Sequence, residues 1–417
     1  MRQLAGVFSG RRPWAPVVAP LVVFSEALTG RRTLVPGDGF STYLPWFSHA
    51  AQAWKAAEIP GWNAYSFAGS PLLAISQAGV YYPPNWLFVV LPPVPAVNLV
   101  IVIQFVIAGL GAWLLTRHLT GDTTAAAVAG VAFALCGFMF AHIGHASMIA
   151  SAAWLPWVLY GYERLRLRFR PANLAIASGA LALSFLAGHS QLACTAVVVV
   201  GLYALGVRGF VPRSERGRPL LAAAALLVVA GGLSAAQLIP TLRYVGFSDR
   251  ADLSYAQAME YSFPGSHAPL VLFPYLFGNQ SPDGPFASPY HGRFNLTELS
   301  GYPGMAALVL AGAGLGLARR DRRLMALAAA GVVAGALALG SETPLSRLVF
   351  HLPIYGQFRS WGRYVVVLDL VVAVFAGYGV AHLRASARRR GVLWGAGATA
   401  AGVALAAVVL PRLGPIE

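Results

Sequence analysis

Asp38 sits in the run Pro36-Gly37-Asp38-Gly39-Phe40, just after a long apolar stretch, so its carboxylate lies near the end of that stretch. A carboxylate there can take a proton from a substrate. Asp-Gly is also an ordinary turn dipeptide, and spacing alone leaves both roles open. Glu298 opens Glu298-Leu299-Ser300-Gly301 ahead of another apolar run. It is either a second site carboxylate or an acid stabilised by a helix dipole. Arg359 and Arg363 are four residues apart and share a face if the chain is helical from Ser360 onward. His142, His145 and His189 fall at the ends of neighbouring apolar runs. The His-x-x-His spacing invites a metal, but no carboxylate pattern supports one. Hydrogen bonding to phosphate or sugar, or a structural role, is the alternative.

The residues after Asp38 are rich in Trp, Tyr, Asn and Pro. A helix is expected over Ser41–Ala57, ended by Pro60, with Leu44, Phe47, Ala51 and Trp54 forming one apolar stripe. Such a helix can lie in the membrane interface. Tyr43, Trp62, Asn63, Gln77 and Tyr82 then suit either an interfacial aromatic belt or a pocket that stacks sugar rings.

The elements that must hold these side chains are membrane spans. Of the 417 residues, 57% are hydrophobic and only 11% charged, where a soluble domain carries about 25% charged residues. Lipid must therefore solvate much of the surface. Spans are expected near 13–29, 95–116, 124–141, 146–162, 172–187, 190–207, 219–240, 301–318, 324–340, 364–383 and 391–410. The pair 172–187 and 190–207 is either a tight hairpin or one segment. The start of the chain resembles a signal peptide, and is read as an uncleaved first span.

The net charge of +15 would suggest nucleic acid in a soluble chain. Here the arginines cluster in short loops. With the N-terminus inside, Arg2, Arg11 and Arg12, then Arg117, then four arginines in each of four later loops account for 20 of the 30 basic residues. That is the positive-inside pattern, and no nucleic-acid partner is expected. The opposite side receives loops 30–94, 241–300 and 341–363. The C-terminus falls outside. Two cysteines in apolar runs, Cys136 and Cys194, indicate neither a disulfide framework nor a thiolate metal site. Glu26 and Asp369 fall inside spans, where carboxylates are costly and usually paired or functional. Asp369 has no partner that the sequence identifies.

Three stretches of the first long loop, PGDGFSTYLPW, IPGWNAYSFAGSP and QAGVYYPPNWLF, resemble the opening of the YfhO family of bacterial membrane proteins. AGHSQLA (187–193), IPTLRYVGFSDR (239–250), ELSGYPG (298–304) and FRSWGRY (358–364) are similar to later family motifs, so the resemblance covers most of the chain, in order. Family members run on beyond a last span of this kind, which here ends at Leu410.

The resemblance implies an all-α polytopic membrane protein of the GT-C type, with about 11 transmembrane helices, an interfacial helix in the first outer loop and a single multi-span domain over 1–417. It implies a bacterial inner-membrane glycosyltransferase. The donor would be a polyprenyl-phosphate sugar and the acceptor a cell-envelope polymer or lipid, with membrane lipid around both. Asp38 matches the first-loop acid that acts as base or positions the acceptor, and attack opposite the phosphate would invert the anomeric centre. A lipid phosphate leaving group needs cations or N–H donors. Arg359 and Arg363 suit it by bidentate geometry and by their place at a helix start. Arg243 and Arg250 are the weaker alternatives; His189, Glu298, Tyr43, Trp62, Asn63, Gln77 and Tyr82 complete the expected substrate site. No cofactor or metal is assigned, though a divalent cation between Asp38 and Glu298 stays an alternative. No nucleotide-binding glycine fingerprint is present. A flippase or transporter of lipid-linked saccharide is the rival class, though no internal repeat is seen. A non-catalytic partner in envelope assembly is the third.

Overall fold

The computed structural model describes residues 14–66, 68–279, 289–318 and 321–385. The expected span 391–410, the N-terminal arginines, Arg319, Arg320 and Arg388 to Arg390 lie outside the described residues. Among those described, the chain is helical, and its β pairing is limited to the isolated bridges Asn63–Ser70 and Asn279–Pro289.

Every expected span before residue 386 coincides with helix. Five segments among the described residues are long and apolar enough to cross a membrane: Pro93–Thr120, Thr123–Ala141, Ser190–Arg208, Arg213–Leu233 and Trp361–Ala385. The expected count of about 11 is not confirmed: the other helices among the described residues are shorter or broken, and 391–410 lies outside those residues. Pro156 interrupts the backbone ladder after Trp154, separating Ala146–Ala153 from Leu155–Leu167. Gly137 donates its N–H to Tyr302 O at 2.8 Å, which splits Thr123–Ala134 from Gly137–Ala141. The pair near 188 is a hairpin of two helices, Pro171–Leu186 and Ser190–Arg208. Gly188 makes the turn at φ +102, and a Cβ there would collide with Ser76 O.

Contacts divide the chain into two units. The first comprises Trp14–Leu114 and His142–Asp252; the second includes Leu115–Ala141 and the chain from Leu253. In the first unit, Gly161 brings Leu155–Leu167 against the backbone of Ala177 in Pro171–Leu186. In the second, Gly314 of Met305–Ala318 and Gly379 of Val365–Ala385 each lie against the other helix's carbonyls, Phe375 O and Leu310 O. Small residues at such crossings allow close backbone approach, which is how helices associate where lipid removes the hydrophobic drive. Asp321 caps Arg322–Ala338 and also accepts from the Tyr378 hydroxyl at 2.9 Å, tying the starts and ends of two helices.

The first-loop helix forms over Leu44–Lys55, preceded by one π-turn, Gly39–Tyr43. Its buried face, Phe47, Ala50 and Ala51, packs on Leu72, Val80 and Phe88 of its own loop. The stripe expected to face the membrane is therefore covered in large part by protein, because the loop folds back over it.

Candidate functional site

In the first unit, one buried amide holds the chain that enters the Asp38 turn. Asn98, 2% exposed within Pro93–Thr120, donates to Ala27 O at 2.9 Å and Arg32 O at 2.8 Å and accepts from Leu34 N at 2.9 Å. Three bonds to one side chain fix the segment that leads from the first apolar helix to the loop. Pro36 and Gly37 (φ +53) then turn the chain, with Gly39 N donating to Pro36 O at 3.0 Å. Asp38 follows at the head of the π-turn, exposed, in an ordinary helical conformation. Single π-turns recur at functional sites.

This turn is pinned at both ends to the segment 144–147. Asp38 Oδ2 lies 3.5 Å from His145 Nε2. Gly144 sits against Pro36 O so closely that any side chain would displace it. Four residues on from Gly39, the Tyr43 hydroxyl lies 2.8 Å from Ser147 Oγ and donates to Gln77 Oε1 at 3.3 Å. The Asp38–His145 pair and the Tyr43–Ser147–Gln77 trio thus meet the same 144–147 segment. His142 is fully buried, with its ring 5.6 Å from that of His145. Among the described residues no three potential ligands converge in a metal-binding group.

Other expected residues of this unit hold the scaffold. Tyr82 is fully buried: it accepts from Trp154 Nε1 at 2.9 Å and donates to Gln104 Oε1 at 2.7 Å. Burial pushes its phenol well above the usual range. His189 is 5% exposed and caps Ser190–Arg208, its Nδ1 accepting from Leu192 N. Asn63 is 3% exposed, paired through its backbone with Ser70. Trp62 and Arg243 are exposed. Glu26 forms a surface pair with Arg32 at 2.5 Å.

The second unit holds Glu298, Arg359 and Arg363. Arg363 Nε and Nη2 donate to Glu298 Oε2 and Oε1 at 2.8 and 2.5 Å, with both side chains largely buried. The shared helical face expected for Arg359 and Arg363 does not form. Ser360 takes a left-handed conformation (φ 59, ψ 59) and its N–H bonds Glu260 O, so helix starts only at Trp361. Arg359 precedes that break and is exposed. Thr297 and Leu299, flanking Glu298, line a cavity of about 430 Å³ with Leu135, Phe140, Leu270 and Tyr302 in its walls. Asp369 is 1% exposed, and its carboxylate faces the Cys136 thiol and the Phe138 amide at the helix break.

Sequence reasoning missed Asn98 and Ser147. A buried Asn in an apolar run was the available signal for the first; a serine in an apolar helix carried none.

Helices of this length and apolarity, with polar groups gathered in the long loops, define a multi-pass membrane protein. A family model described as bacterial membrane protein YfhO matches residues 14–412, and the chain belongs to that family. Among curated proteins, none matches the chain. Among solved structures, the apo oligosaccharyltransferase of Archaeoglobus fulgidus is similar at 16% identity and TM-score 0.49, over 94% of this chain and 54% of that one. The chain thus spans about half the length of that protein.

Proposed function

We propose that the chain is a GT-C type glycosyltransferase of the bacterial inner membrane. It moves a sugar from a polyprenyl-phosphate donor to a cell-envelope acceptor at the extracytoplasmic face. The observation that carries this is Asp38: an exposed carboxylate on a turn fixed at both ends, 3.5 Å from His145, directly after the first apolar helix.

The chemistry follows from that carboxylate. A sugar hydroxyl is a weak nucleophile, so Asp38 accepts its proton as the oxygen attacks the anomeric carbon. The bond from that carbon to the phosphate oxygen breaks, the electron pair leaves with the polyprenyl phosphate, and the centre inverts. Growing phosphate charge calls for a cation. Arg243, exposed and in the same unit as Asp38, is the cation this reading assigns; Arg363 of the other unit is already engaged by Glu298. Gln77, exposed and accepting from the Tyr43 hydroxyl, is the sugar contact that the first loop offers beside this turn.

A second reading, movement of lipid-linked saccharide without transfer, draws on Asp369, a carboxylate buried in a span. One experiment separates them. Purified protein receives radiolabelled undecaprenyl-phosphate sugar and crude envelope acceptor. Transfer by the wild type and its loss in Asp38→Asn supports the transferase. Vesicle-to-vesicle movement of the lipid without transfer sinks it.

A further inference from the structure

The end of the first-loop helix builds a second feature, away from the Asp38 turn along the chain. Leu44–Lys55 is closed by Ala57, which adopts the left-handed conformation at φ 58. Glycine usually fills that position because a Cβ is strained there. The turn sends Glu58 N back to Ala53 O at 2.9 Å and leaves the Glu58 side chain exposed.

The next segment returns alongside. His49 Nε2 lies 3.0 Å from Trp62 O. A carbonyl only accepts, so Nε2 carries the proton and the ring holds the Trp62 backbone in place. The bridge between Asn63 and Ser70 closes the hairpin that follows. Gly69, at φ +115, lies under the Trp62 indole: a Cβ there would stand 2.8 Å from Cε2 and 2.9 Å from Nε1. The indole is thus seated on one side by the backbone and remains 59% exposed. Trp62, His49, Gln52 and Glu58 line a cleft of about 560 Å³, within the usual range for small-ligand sites, roughly 300–1,000 Å³.

We infer that this cleft binds a saccharide chain, one pyranose stacking on Trp62 while Glu58 and Gln52 take its hydroxyls. A fixed indole offers a flat apolar face that matches the C–H face of a pyranose with equatorial hydroxyls. A carboxylate and an amide at the edge supply acceptors and donors that such hydroxyls need. The Glu58 charge disfavours anionic polymers and selects neutral or amino sugars. The same charge disfavours the other use of an exposed Trp, an anchor among lipid phosphates, where Glu58 would be repelled and partly desolvated. The inference does not need the transfer reaction: a binding cleft and a catalytic turn fail separately.

The test is isothermal titration of the full chain in nanodiscs with the β-linked N-acetylglucosamine tetrasaccharide, maltotetraose and a polyanionic control, heparin tetrasaccharide. At least one neutral or amino-sugar probe is expected to bind and heparin to be rejected. Trp62→Ala should weaken binding by about tenfold or more, a loss near 1.4 kcal/mol. Trp62→Phe, which keeps an aromatic face, should restore part of it, and Glu58→Gln should weaken it several-fold. Asp38→Asn should bind like the wild type whether or not transfer exists. No binding by any neutral or amino-sugar probe overturns the inference. So does binding that survives both Trp62→Ala and Glu58→Gln, or a nitroxide at Trp62→Cys with the accessibility of a lipid headgroup.

Discussion

Arg363 holds Glu298 through two parallel hydrogen bonds, 2.8 and 2.5 Å long, across 65 residues of sequence. The pair anchors the 296–299 turn to the start of the Val365–Ala385 helix. A largely buried charge left without its partner is expensive, typically about 3–5 kcal/mol. Glu298→Ala and Arg363→Ala should each lower the thermal midpoint in detergent sharply. The double variant should cost clearly less than the two singles added together. Simple additivity in that cycle would mean that the pair is not coupled.

Asn98 makes a second prediction. Its amide satisfies two carbonyls and one N–H of the segment leading to Asp38. Asn98→Ala should cost about 1–3 kcal/mol, the usual penalty for orphaned buried polar groups. The loosening should be local. Limited proteolysis ought to detect cleavage between residues 27 and 38 before the rest of the chain unfolds, and unchanged protease resistance there would count against the clamp.

Gly144 tests the pinned turn. Its Cα hydrogens face Pro36 O, so Gly144→Ala must push the Asp38 turn away from His145. If the transferase reading holds, initial transfer rate should fall by about tenfold or more, since misplacement by an ångström can cost more than that. The overall helical content should stay intact by circular dichroism. A variant with wild-type rate would show that this proximity does not matter.

A pH effect is expected at His267. Burial, and then the charge of Arg293, hold its imidazole below the ordinary value. Its Nε2 accepts from Arg293 N at 2.9 Å, so the neutral ring is the form that fits. The unfolded segment protonates first, near pH 6.5. Stability from this contact is therefore complete above that pH and declines as pH falls toward the lower folded value. Hydrogen-exchange protection over residues 264–279 and 289–294, corrected for the intrinsic pH dependence of amide exchange, should fall below about pH 6.5, and His267→Gln should flatten that dependence. Protection that rises with acid would reverse the assignment.

Much of the architecture was legible because lipid imposes a severe rule on sequence. Apolar runs near Pro93–Thr120, Ser190–Arg208 and Val365–Ala385 announce helices, since a helix satisfies its whole backbone within one continuous run of that length in hydrocarbon. The hairpin at Gly188 was readable only as an ambiguity. Its resolution needed Ser76, more than 100 residues earlier, to crowd the turn.

The site was legible in part. Asp38, Tyr43 and Gln77 stood out by type and do gather with His145 and Ser147. Tyr82, Asn63 and His189 stood out equally, yet each is buried and satisfied within the scaffold. An aromatic or polar residue in a loop advertises a hydrogen-bonding capacity, not the direction in which it is used.

Sequence by itself determined that this chain is a helical membrane protein with its polar chemistry in long loops. That follows from the cost of polar groups in lipid, which acts residue by residue and needs no partner. Only the tertiary structure decided that Arg363 belongs to Glu298, that Asp369 faces Cys136, and that Asp38 rests beside His145. Those pairings join residues far apart in the chain, and they are set by how helices and turns pack against each other, which no local pattern records.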